Sequence, residues 1–142
     1  IVRNPFIQIH SYFFHRINED EYDGMWRYDH NLSIVTNFEN FCRIHYNNRH
    51  LQQYNHVKSN KSYTVKFFKL EEGLNKLNHY ILKKHNINLG LTKTHYNKNN
   101  KKKKKKLKIK SFFVNKEIVD LIIKERCKEF ELFNYSTNIN DL

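Results

Sequence analysis

Three glycines and one proline in 142 residues leave little material for tight turns, and two cysteines leave almost none for cross-links. Cys42 and Cys127 are too few and too far apart for a zinc pattern or a dense disulfide framework. The chain therefore carries either two thiols or one long-range disulfide made in an oxidising compartment. Nine histidines are scattered with neither HExxH spacing nor a cysteine partner, so no metal site is expected. No apolar run approaches the ~20 residues of a membrane span, and no signal peptide is visible. Acidic side chains are also short, 14 against 26 lysines and arginines, for a net charge of +12. Such an excess points toward polyanions: nucleic acid, anionic lipid or sulfated glycans. Eight lysines between 101 and 110 supply most of it, and the +4 that remains is an ordinary surface charge. The surplus of Lys, Asn, Ile, Tyr and Phe over Gly and Pro also matches an A/T-rich coding sequence, a bland origin for some of the lysines.

What is present is 39% hydrophobic and 15% aromatic, enough for one modest core and hence one domain or part of one. The chain is organised around its first thirteen residues. Ile1 and Val2 read as the end of a buried strand, and Pro5 presets φ for the first position of a helix. Asn4 is placed to cap that helix, and Phe6, Ile9 and Phe13 recur at three and four residues, marking its buried face. Arg3 then sits at a strand's carboxyl end, with Ser11 nearly two turns into the following helix. Ligands of open α/β folds bind outside such strand ends, where helix N-termini favour anions, so Arg3 and Ser11 form a candidate phosphate clamp. Because residue 1 already lies in a strand and is not Met, the chain is expected to be the carboxyl-terminal portion of a larger domain.

Further along, residues 18–35 lack a sustained period and read as a loop, with Trp26 pinned on the core. Thr36 to Glu39 has the form of a capping box, followed by an inward stripe of Phe38, Phe41, Cys42 and His45 that ends at Asn47 and Asn48. Ser62 to Leu70 is rich in β-formers and reads as a strand. Glu71 and Glu72 suit the first turn of the next helix, which should run to about Lys84 with Leu74, Leu77, Tyr80 and Ile81 inside. Glu71 is read as a helix-starting residue and not as a base. The segment at about 97–111, with its lysine run, reads as a mobile loop. It is open to three readings: a low-complexity insertion, a guide for anionic glycan or nucleotide, or a nucleic-acid contact. The last helix starts at Asn115 and carries a stripe of Val119, Ile122, Ile123, Cys127 and Phe130, with Asn134 as its left-handed stop.

Several of these stretches carry a resemblance. Arg3-Asn4-Pro5-Phe6, with Ser11 eight positions after the Arg and then two aromatics, resembles the Arg-Asp-Pro segment of the carbohydrate sulfotransferases. The Phe130-Glu131-Leu132-Phe133-Asn134-Tyr135 ending resembles that family's last helix, and the capping-box helix and the Leu70-Glu71 strand end lie in the same order between them. Asn4 stands where the family usually has Asp, and Gln8 where it has a second Arg.

The resemblance implies a P-loop NTPase-like α/β fold, a parallel sheet flanked by helices with its amino-terminal part missing. It implies residues 1–142 as the carboxyl-terminal portion of a single sulfotransferase domain. It also implies the sulfate donor PAPS (3′-phosphoadenosine 5′-phosphosulfate), its 3′-phosphate held by Arg3 and Ser11, with no metal. The acceptor would be a glycan hydroxyl, with His50 and Gln52 near it. The phosphate loop and the catalytic base of the family lie upstream, so no catalytic residue is assigned and these residues alone are expected to be inactive. Residence in the Golgi lumen, through a membrane anchor outside these residues, follows from the same resemblance; a nucleic-acid partner does not. The alternatives are a non-catalytic basic module for nucleic acid or sulfated glycan, and a decayed homologue.

Overall fold

A computed structural model describes residues 1–19, 25–46, 53, 66–90 and 108–142. They form five α-helices: α1 (Pro5–Glu19), α2 (Ile34–His45), α3 (Asn75–His85), α4 (Lys116–Glu125) and α5 (Cys127–Leu132). Short 3-10 turns occupy Leu70–Glu72, Ile109–Phe112 and Ile139–Asp141.

The α1 stripe falls where the spacing puts it. Phe6, Ile9 and Phe13 are all fully buried, and each such side chain contributes about 1.5–3 kcal/mol by leaving water. Phe13 is the hub: its ring lies within 5.3–5.6 Å of Phe14, Trp26, Phe38 and Phe41. Phe38, Phe41, Cys42 and His45 of α2 are buried as the stripe requires, and Trp26 lies on this core. The cap lies three residues before Thr36, however. Ser33, in extended geometry, accepts from the Thr36 amide at 3.0 Å and so is the cap. Glu39 does not reach back to close a box but accepts from Asn115 Nδ2.

The expected parallel sheet is not found. Among the described residues there is no strand, only an isolated parallel bridge between Val2 and Lys69, made by Val2 N to Phe68 O (2.9 Å) and Leu70 N to Val2 O (2.8 Å). The reason is local: Asn4 and Pro5 start α1 two residues after Val2, and Leu70–Glu72 winds into a 3-10 turn immediately after Lys69. Beyond Val2 and Lys69 neither segment continues the ladder forward. The described residues are mostly helical and do not form the parallel sheet flanked by helices of a P-loop α/β fold. Of the strand expected over 62–70, residues 62–65 lie outside the described residues, as do 47–50.

Gly73, at φ +84°, separates the turn at Leu70–Glu72 from α3, so the two glutamates do not open that helix. Leu77, Tyr80 and Ile81 are only half-buried, and α3 has no fully buried residue. At the other end, Asn115 caps α4, its side chain accepting from Glu117 N at 3.0 Å. The single last helix expected from the pattern is in fact two. Arg126, at φ −116° and ψ 19°, breaks it, and the stripe rotates: Ile118 and Ile122 are buried on α4, Glu129 and Phe130 on α5, and Cys127 turns out to solvent. Asn134 is left-handed (φ 50°), with Tyr135 N bonded to Phe130 O and Asn134 N to Glu131 O, the paired closure of a Schellman motif.

Candidate functional site

The site is built at the start of α1. Asn4 Oδ1 accepts from Phe6 N at 2.9 Å, satisfying one of the helix's orphan amides and setting the direction in which the chain enters it. The Val2 bridge fixes the backbone on the other side of Arg3. Gln53 completes the hold from a distant part of the chain: its Oε1 accepts from Arg3 N and its Nε2 donates to Arg3 O, both at 2.7 Å. With its peptide clamped at three points, Arg3 extends to Ser11, Nη1 donating to Oγ at 3.1 Å.

Arg3 and Ser11, eight residues apart, are thus brought together. Both are half-buried. Among the described residues no carboxylate pairs with Arg3. A guanidinium with donors to spare, a hydroxyl on its flank and the positive end of a fifteen-residue helix together make an arrangement that favours a phosphate or sulfate group.

Gln8, in the place of a second arginine, faces a guanidinium all the same. Arg126 reaches it from the break between α4 and α5, donating from Nη2 to Gln8 Oε1 and from Nη1 to Pro5 O at 3.4 Å. The same Nη2 contacts Glu129 Oε2 in a pair that is almost entirely buried. Burial pulls the Arg126 guanidinium below its usual range while the Glu129 carboxylate opposes the shift. This cation is spent inside the protein, tying α5 to the first turn of α1, and does not substitute for a ligand-facing arginine.

His10, next to Ser11 in sequence, points into aromatic surroundings, 4.7 Å from Phe112 and 4.9 Å from Phe14 between ring centres. Its Nε2 is buried without a hydrogen-bond partner among the described residues, and burial lowers its pKa to about 4. It packs as a neutral ring.

His50, Gln52 and the lysines at 101–106 lie outside the described residues. Glu71 sits in the turn at Leu70–Glu72. Gln53 and Arg126 were not singled out by the sequence. An isolated glutamine carries no periodic signal, and Arg126 is inside only because the helix breaks there. No group of three His, Cys, Asp or Glu placed to hold a metal occurs among the described residues, and none of their helices is long and apolar enough to cross a membrane. Comparison with protein-family models, curated proteins and solved structures finds no match to this chain.

Proposed function

We propose that this chain supplies the 3′-phosphate contacts of a PAPS-dependent carbohydrate sulfotransferase. The observation that carries the reading is the hydrogen bond between Arg3 and Ser11, two residues named from the sequence for one shared role and found in contact. The proposal rests on this local geometry and on the resemblance of residues 3–13 and 130–135, not on a sheet.

When bound, PAPS supplies an activated sulfuryl group for in-line transfer to a hydroxyl, here of a glycan acceptor. The residues described here bind and orient. Arg3 neutralises the 3′-phosphate and Ser11 adds a donor, while Gln53 and Asn4 keep both at fixed separation. Neither residue moves a proton in this scheme, and the base belongs to another part of the site. Residence in the Golgi lumen, where glycans are elaborated, accompanies the same reading.

The test is calorimetric titration with adenosine 3′,5′-bisphosphate, beside adenosine 5′-phosphate, which lacks the 3′ group. Arg3→Ala should weaken the bisphosphate about tenfold or more, as expected for loss of a charge-assisted contact, and leave the monophosphate unchanged. Equal affinity of the parent chain and the variant for the bisphosphate sinks the proposal.

A further inference from the structure

A second concentration of positive charge lines a cleft that takes in Val2 but neither Arg3 nor Ser11. The cleft, of about 850 Å³ and open on one side, runs between residues 66–69, α3 and the end of α5, and it is lined by Lys66, Lys69, Lys76, Lys83 and Lys84. Its volume is that of a small-molecule site. The carboxylate described in its lining, Glu72, is already engaged by Lys76 Nζ at 2.6 Å. The other four lysines have no carboxylate partner among the described residues.

Three of these ammonium groups, those of Lys66, Lys69 and Lys84, are nonetheless held against protein groups. Lys66 Nζ sits 4.4 Å from the centre of the Tyr80 ring and Lys84 Nζ 5.7 Å from it, so one aromatic ring gathers two cations. Lys69 Nζ lies 4.5 Å from the Tyr135 ring and donates to Asn134 O at 2.6 Å. Gathering like charges in a walled cleft is unfavourable until an anion fills it, and the same walls strengthen the field that such an anion meets. The rings are occupied by ammonium groups and by one another, Phe68 against Tyr80 and Phe67 against Phe133, so they offer little face for stacking a base. What the cleft presents is a set of ammonium groups, four of them held by neighbouring protein groups.

We propose that this cleft is a binding site for a compact polyanion carrying several phosphate or sulfate groups, separate from the site at Arg3. The probes are myo-inositol hexakisphosphate, for phosphate, and sucrose octasulfate, for sulfate, each titrated calorimetrically into the chain. One-to-one binding that weakens as salt rises is expected, and the tighter probe names the anion class. Lys66→Gln with Lys84→Gln should lower affinity about tenfold or more, by loss of two charge-assisted contacts. Lys116→Gln with Lys124→Gln, which removes the same charge from the exposed face of α4, should change it less than about twofold because those charges are screened. Replacing Lys101 to Lys106 by Gln should likewise leave it in place. Absence of binding by both probes overturns the proposal, as does equal loss in the α4 variant or loss with the 101–106 replacement. Arg3→Ala should not affect either probe, so this site and the nucleotide site stand or fall separately.

Discussion

Arg126 holds Gln8 across 118 residues of sequence, joining the break between the last two helices to the first turn of the first. The contact makes the carboxyl-terminal segment part of the support for the phosphate clamp. Its energetic weight lies in the buried partner Glu129.

Removing one member of that pair should be costly. Arg126→Met strands a buried carboxylate, and the expected loss is about 3–5 kcal/mol in urea unfolding. Arg126→Met combined with Glu129→Leu should recover much of it, because no charge is left uncompensated. A double variant as unstable as the single one would show that the pair matters for something other than charge balance.

Gln53→Ala leaves Arg3 in the chain but removes both hydrogen bonds to its peptide. Affinity for adenosine 3′,5′-bisphosphate should fall about five- to tenfold, the worth of one or so net neutral hydrogen bonds, and less than in Arg3→Ala. Equal loss in the two variants would show that Gln53 does more than position its neighbour.

The pH dependence has a named contributor. The folded pKa of His10, about 4, lies below its ordinary value of 6.5, so between those limits the unfolded chain binds the extra proton. Stability from this group is complete above pH 6.5, falls as pH drops toward 4 and levels off below. His10→Phe should flatten this part of the urea-midpoint profile. A profile unchanged by the substitution would assign the slope elsewhere.

The two thiols should differ sharply. Cys127 is exposed and Cys42 fully buried, with burial first and then the Glu39 charge raising the Cys42 pKa. A thiol-specific chromogenic reagent should label Cys127 rapidly in the native chain and Cys42 only after denaturant is added. Rapid labelling of both would place Cys42 outside the core.

At Asn134 the backbone is left-handed. Asn134→Ala should cost about 1 kcal/mol, while Asn134→Gly should be near neutral, since glycine carries no Cβ penalty there. Thermal unfolding of the two variants separates this backbone effect from loss of the side chain.

Much of the helical layout was legible because it depends on near neighbours. The three-and-four spacing of Phe6, Ile9 and Phe13, the caps at Asn4 and Asn115 and the stop at Asn134 each involve residues within a turn or two. Arg3 and Ser11 were named together as a phosphate clamp at a strand end and by a family resemblance, not by helical spacing: Arg3 precedes the Asn4 cap, and its side chain reaches along α1 to the Ser11 hydroxyl. The sheet was misread because Val2 and the stretch before Leu70 have strand composition, whereas a ladder needs partners of matching length. α1 and the 3-10 turn cut both short.

Composition and local spacing by themselves determined the starts of α1 and α4 and the buried stripes of α1 and α2, and singled out Arg3 and Ser11 as candidates for an anion. Only the tertiary structure decided that Arg126 lies inside, that Gln53 grips Arg3, and that five lysines from separate segments line one cleft. Those outcomes turn on contacts between residues far apart in the chain, where no periodicity records which side chain will meet which.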